Sequence, residues 1–426
     1  HRLAAEDAAH RQSELAEVIS AHLGVDATTV PVTTESLPLH RYVDADIALD
    51  ELSALGEGRV IGVTGGDQRW HVSASDLLSA SYARFAPGPI SYETRAVGPG
   101  AERRVVAFGV RLFTFDGHPL AVVQRSSARN VMPPTAQLEL FGADPDATGA
   151  ALDEIRRLMV ERSVLRGHVL SFVPTEYGSE AGATFLARPT VDAEEVVLGD
   201  GVLQSIVDHV VGIGDHRDAL RAAGQHLKRG VLLYGPPGTG KTLTVRHLLS
   251  RTAGTTAVVL TGSSVRFVTA AAEIARTFAP ALVVLEDIDL VAADRAYSPQ
   301  PVLFDVLDAL DGLESDADIA FVMTTNHVQI LEEALAIAKR TLPEDNPLHL
   351  TALNNLGGFY SHVGQTDRAE QILRESLAVR ERLYGPDSPK LAESLTNLGV
   401  LTLQREDEAA RRGRSGLMHI SQFEAM

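Results

Sequence analysis

Gly235-Pro236-Pro237-Gly238-Thr239-Gly240-Lys241-Thr242 stands between the apolar run Val231-Leu232-Leu233-Tyr234 and the helix-like Leu243-Thr244-Val245-Arg246-His247-Leu248-Leu249. A strand, a glycine-rich turn and a helix in that order make a phosphate-binding loop. The glycines let successive backbone N–H groups turn inward around the phosphates, and Lys241 reaches the β- and γ-phosphates. Thr242 offers its hydroxyl to Mg²⁺ at the positive end of the following helix. Residues Gly235 through Thr242, with Leu243 beside them, are therefore expected to bind a nucleoside triphosphate.

Further along, Val283-Val284-Leu285-Glu286-Asp287-Ile288-Asp289 reads as a buried parallel strand ending in acids. Such a strand brings a carboxylate to the metal and to the attacking water. Ile319-Ala320-Phe321-Val322-Met323 reads as another strand and leads into Thr324-Thr325-Asn326. Together with Leu307-Asp308-Ala309-Leu310-Asp311-Gly312, these motifs fall in an order that resembles the AAA family of ATPases over roughly residues 195 to 330.

That resemblance implies an α/β P-loop NTPase core, a parallel sheet with helices on both faces, that binds ATP and Mg²⁺. It assigns the metal to Thr242 and, partly through water, to Glu286. It also has Asp287 polarise the attacking water, and puts Asn326 at the sensor 1 position, holding water or the γ-phosphate. Lys241, Glu286, Asp287 and Asn326 are thus the expected catalytic set. One departure is visible: the usual family order is Asp then Glu, whereas here Glu286 precedes Asp287, whose carboxylate reaches one methylene less far.

Composition sets wider limits. At 426 residues, with 45% hydrophobic and 22% charged side chains, the chain is long enough for several globular domains. Acidic residues outnumber basic ones 56 to 38, a formal charge of −18, which disfavours attraction to phosphate backbones, so nucleic acid is not an expected partner. No uncharged apolar run of about 18 residues suggests a membrane span. The stretch His1-Arg2-Leu3-Ala4-Ala5-Glu6-Asp7 lacks the apolar core of a signal peptide, so a cytoplasmic location is expected. The first residue is not Met, which leaves open whether this start is native. With no cysteine, disulfides, thiol catalysis and Cys-ligated zinc are excluded.

Residues 1–190 read as an α+β domain. Leu15, Val18, Ile19 and Leu23 share one helical face ending before Gly24. Helix-like Ala48-Leu49-Asp50-Glu51-Leu52 is mixed with strand-like runs at 60–63, 105–110 and 120–123. Residues 141–149 suggest a break before a helix at about 150 to 165, with a strand at 169–173 after it. His10, His22, His40 and His71 stand at no metal-ligand spacing, and packing or surface roles are expected. Analogy with AAA proteins suggests partner binding for this domain.

After Asn326 the sequence repeats itself. Gln329-Ile330-Leu331-Glu332-Glu333-Ala334-Leu335-Ala336 recurs as Gln371-Ile372-Leu373-Arg374-Glu375-Ser376-Leu377-Ala378, an offset of 42 that also relates Pro347 to Pro389 and Asn355-Leu356-Gly357 to Asn397-Leu398-Gly399. Leu356, Gly357, Tyr360, Ala369, Leu373 and Ser376 have the large and small order that lets paired helices approach. With the turn Gly385-Pro386-Asp387-Ser388-Pro389, this resembles tetratricopeptide repeats of the kinesin light chain type over about 329 to 405. The implied partner is a protein or peptide.

The expected organisation is an α+β domain at 1–190, the ATPase core at 191–328, α-helical repeats at 329–410 and a tail at 411–426, where Arg411-Arg412-Gly413-Arg414 forms a solvated charge run. An AAA module ordinarily continues into arginine fingers and a helical lid. Here Ala334-Leu335-Ala336-Ile337-Ala338-Lys339-Arg340 occupies the finger region; His327 fills a small-residue repeat position, and Arg340 reads by default as a surface charge. Loss of fingers worth about 10³ to 10⁵ in rate predicts slow turnover. Loss of the lid predicts weaker homo-oligomer or ring assembly. Phe267-Val268-Thr269 lacks the glycine of a threading pore loop, so Phe267 is read as core packing. Two functions remain open: an ATPase that remodels or regulates a protein partner, and a nucleotide-binding interaction scaffold with little turnover.

Overall fold

The computed structural model describes residues 13–79, 85–126, 135–174, 180–223, 227–288 and 317–326, and beyond these 350, 353, 356–357, 360–361, 365–386, 388, 391, 394–399 and 401–402. The chain divides into two units. His1–Leu233, Gly240–Ile288 and Leu313–Thr324 make the first; Tyr234–Thr239, Asp289–Gly312 and Thr325–Met426 make the second. Expectations placed on His10, residues 307–312, His327, residues 329–336, Arg340, Pro347, Asn355, Pro389 and residues 411–426 lie outside the described residues.

The first unit begins with α1 (Glu14–Leu23). The Ser13 hydroxyl accepts the N–H of Ala16 at 3.1 Å, and Gly24 ends the helix at φ 72°. Leu15, Ile19 and Leu23 are its buried stripe. Then come β1 (Val32–Leu37), α2 (Tyr42–Leu55), β2 (Arg59–Val63), α3 (Ala74–Leu78), β3 (Pro87–Gly88), β4 (Ser91–Gly98), β5 (Ala101–Phe115), β6 (His118–Arg125), β7 (Ala136–Gly142) and α4 (Pro145–Glu161). The strands form a seven-stranded sheet ordered β1-β7-β6-β5-β2-β3, with β4 paired to the first half of β5. Its pairings are antiparallel.

Helices cover both faces of this sheet. Leu120 and Val122 of β6 enter the core shared with α2 and α4, whereas Ala121 and Val123 enter the core shared with α1 and α3. The central strands β5 and β6 therefore carry unbroken buried runs, whereas β4, off the main path of the sheet, alternates. Each fully buried Leu or Val contributes about 1.5–3 kcal/mol. The helix expected near 150 starts earlier, at Pro145, because Asp144 accepts the N–H of Asp146 at 2.9 Å and caps a first turn that carries proline.

Charge inside this domain is paired. Arg111, 1% exposed, donates to Asp46 Oδ1 at 2.8 Å and to Gln124 Oε1 at 2.5 Å. Arg125 pairs with Glu139, whose carboxylate also accepts the Ala74 N–H at 2.8 Å. His22 and His40 are packing groups, His22 Nε2 lying 3.1 Å from Leu120 O and the His40 ring meeting Phe172 edge-on at 5.6 Å, whereas His71 is exposed. No group of three or more His, Cys, Asp or Glu able to hold a metal occurs among the described residues. Nor, among them, is any helix long and apolar enough to cross a membrane.

A second sheet carries the phosphate-loop motif. Its elements are β8 (Val169–Pro174), β9 (Glu180–Leu186), β10 (Arg229–Tyr234), α5 (Lys241–Arg251), β11 (Thr256–Thr261), α6 (Val268–Thr277), β12 (Ala281–Glu286) and β13 (Ile319–Thr325). The six strands are ordered β10-β13-β12-β11-β8-β9, with parallel pairing of β8 to β11, β11 to β12 and β12 to β13. This sheet thus begins at Val169, ahead of the expected domain boundary at residue 190. Parallel pairing takes its partner from far along the chain, Ala257 opposite Val169, so local sequence does not mark the join. Val245, Leu248 and Leu249 of α5 pack on one face against Ala257, Val259, Leu282 and Val284. Val258, Leu260, Val283 and Leu285, of opposite strand parity, are equally buried, as a sheet covered on both sides requires.

In the second unit, α7 (Thr366–Tyr384) buries Ala369, Leu373, Ser376 and Val379. Leu353, Leu356, Tyr360, Ala369, Leu373 and Leu401 form one apolar cluster. A Cβ added to Gly357 would lie 2.5 Å from Leu373 Cγ, so glycine is what lets the backbone there approach α7. The six positions with repeat-like large and small order are all buried.

Candidate functional site

In the second unit, β10 ends at Tyr234 and the loop begins with the Gly235 N–H donating to Thr325 O at 3.3 Å. The Thr239 hydroxyl donates back to Pro236 O at 2.9 Å, which tightens the turn. Pro236, Pro237, Gly238 and Thr239 are exposed. Gly238 stands at φ 85° and Gly240 at φ 88°, in the left-handed region where a Cβ is costly. Asn326 follows Thr325 directly and is half-buried.

In the first unit, Gly240 opens α5 without any side-chain cap. A glycine N-cap has no side chain to accept the first N–H groups of the helix, and the positive end of its dipole lies at Lys241. Thr244 N–H and hydroxyl both donate to Gly240 O, at 2.9 and 3.0 Å, which closes the first turn. Lys241 and Leu243 are half-buried and Thr242 is exposed.

Glu286 ends β12 half-buried, and its carboxylate accepts a hydrogen bond from the Thr242 side chain. Its Oε1 is buried and has no hydrogen-bond partner among the described residues. Burial raises its pKa above the ordinary glutamate value, and the Asp287 charge adds to this; the Thr242 hydrogen bond and Arg246 act the other way. Asp287 leaves the strand at φ 52°, and its N–H donates to Thr324 Oγ1 at 2.9 Å. A buried, unpartnered carboxylate oxygen beside a threonine hydroxyl suits a hard cation, and so small a protein donor set suits Mg²⁺, which keeps several waters and takes substrate phosphates as ligands.

Three further features went unread in the sequence. Arg188 donates to Leu249 O at 2.8 Å, Thr255 O at 2.6 Å and Gly167 O at 3.2 Å, and so pins the C-terminal end of α5. A lone arginine between a strand and a loop carries no motif that could have revealed this. A cavity of about 310 Å³ lies beside α5, lined by Val196, Leu198, Leu203, Val207, His247 and Arg251 among others. His247 is held there by its Nδ1, 2.9 Å from Val191 O. The third feature is Thr324, quoted in the sequence only as part of a motif. Phe267 packs its ring against Phe172 at 5.7 Å.

The profile of the ATPase family associated with various cellular activities (AAA) matches residues 231–343, and a tetratricopeptide repeat profile matches residues 348–417. The AAA match therefore takes in Arg340, which the repeat reading had assigned to the helical array. The 26S protease regulatory subunit 6A of Caenorhabditis elegans is 30% identical over 183 residues, covering 39% of this chain and 43% of that protein. The 26S proteasome regulatory subunit 6A of Encephalitozoon cuniculi is 28% identical over 207 residues, covering 44% and 51%. That of Saccharomyces cerevisiae is 27% identical over 183 residues, covering 39% and 42%. The chain spans about half or less of the length of these relatives. Residues 231–343 are thus similar to the AAA family of ATPases, and residues 348–417 are similar to tetratricopeptide repeats.

Proposed function

We propose that this protein hydrolyses ATP to remodel or regulate a polypeptide partner. The observation that carries the reading is Glu286, whose carboxylate is joined to Thr242 while its Oε1 stays buried and unpartnered. Leaving such an oxygen without a partner costs stability, and a site that tolerates this cost is poised for a ligand.

In this reading the N–H groups from Gly238 to Thr242 cradle the phosphates, and the Lys241 ammonium neutralises the β- and γ-oxygens. Thr242 and Glu286 hold Mg²⁺, which when bound screens the charge on the transferring phosphoryl group. Asp287 accepts a hydrogen bond from the attacking water and orients it, while the Asn326 amide holds that water or the γ-phosphate. The cavity beside α5, lined by both apolar and polar side chains, takes the base: His247 lies six residues beyond Lys241, about 9 Å along the helix axis. The partner is a polypeptide, on the likeness to regulatory subunits of a protease complex and on the repeats. A cytoplasmic setting belongs to this proposal.

A second reading, a nucleotide-stabilised interaction scaffold, draws on Tyr234. This residue enters the phosphate loop and packs against the repeat cluster of Leu353, Leu356 and Tyr360. Phosphate release per bound ATP separates the two readings, measured on wild type and Asp287→Asn over a range of protein concentrations. Turnover that disappears in the variant, with ATP still bound, supports the enzyme; tight binding without turnover at any concentration supports the scaffold.

A further inference from the structure

Asp287 stands at φ 52° at the end of a buried parallel strand. The other non-glycine residues with positive φ among those described, Glu57 and Asp116, sit in short connections between elements, where such a backbone is ordinary. A left-handed residue ending a core strand persists only where its surroundings hold it. The holding group is visible: Thr324, 1% exposed, accepts the Asp287 N–H on Oγ1 at 2.9 Å. Leu285 faces Met323 across the ladder, so Thr324 lies level with Glu286, one residue before the turn.

Aspartate has a single methylene between backbone and carboxylate, so its backbone angles largely decide where the carboxylate sits. Had the strand continued, the side chains of Glu286 and Asp287 would leave on opposite faces. The turn at Asp287 breaks that alternation. Resting on the ATPase reading above, we propose that Thr324 is a positioning residue: its buried hydroxyl locks the left-handed turn at Asp287 and thereby places the Asp287 carboxylate for its work on the attacking water.

The test compares Thr324→Val, which keeps shape and removes the acceptor, with Thr324→Ser, which keeps the acceptor. ATP affinity, KM, kcat, Tm and the exchange rate of the Asp287 amide are measured on the full chain. The expected result for Thr324→Val is a kcat about tenfold lower, since a buried donor loses its acceptor. ATP Kd and KM should stay within about twofold of wild type, because no group on the phosphates is removed. Thr324→Ser should recover most of kcat and of the amide protection. A valine variant with wild-type kcat, or a serine variant as slow as valine, overturns the proposal while leaving the ATPase intact. If wild type shows no turnover, the ATPase reading fails by itself, and amide exchange then decides the positioning claim: equal exchange in wild type and valine overturns it. Should valine fail to fold, Thr324→Ala carries the same comparison.

Discussion

The Thr242 side chain donates a hydrogen bond to the Glu286 carboxylate, joining the first turn of α5 to the end of β12. Because burial raises the pKa of Glu286, its ionised form works against folding at neutral pH. Stability should therefore rise as the pH falls through the folded-state pKa. Glu286→Gln should melt higher than wild type at neutral pH without nucleotide, and the difference should shrink on acidification, vanishing below the ordinary glutamate range. With Mg²⁺ and ATP the order should reverse, because the variant loses a ligand group. Thermal melts across pH, with and without nucleotide, read both effects.

Lys241→Ala removes the cation at the open N-terminus of α5. ATP affinity should fall at least about tenfold, since a charge-assisted hydrogen bond contributes about 1.5–3 kcal/mol. Titration calorimetry checks this; retained affinity would refute the phosphate-loop assignment.

Arg111 is buried with Asp46 and Gln124 in the N-terminal sheet, far in sequence from the nucleotide motifs. Arg111→Met should cost about 3–5 kcal/mol, because Asp46, itself 2% exposed, loses its buried cation. Denaturant unfolding measures the loss, and a change below about 1 kcal/mol would show that water or a neighbour replaces the pair.

The repeat offers a matched pair of glycines. Gly357→Ala places a methyl 2.5 Å from Leu373 Cγ and should destabilise the helical segment by about 1–3 kcal/mol. Gly399, its counterpart one period on, has nothing within 4 Å of an added Cβ, so Gly399→Ala should be neutral or gain up to about 1 kcal/mol of helix propensity. Limited proteolysis of the segment ranks the two variants, and equal effects would mean that the two sites are packed alike.

The turn at 235–242 was legible because its backbone path is written into consecutive residues: glycines at 235, 238 and 240 take positive φ, and a helix follows directly from Lys241. The repeat was legible for a related reason, since recurrence at one offset is visible without knowing the fold. The runs at β5 and β6 announced strands through composition alone. Tertiary structure decided the rest. The addition of β8 and β9 to the second sheet rests on pairing between residues almost ninety apart, Val169 with Ala257, and a strand does not name its partner. The left-handed turn at Asp287 and the threonine that accepts its N–H lie 37 residues apart. A local pattern specifies which backbone shapes a segment can adopt; only packing selects which distant groups meet.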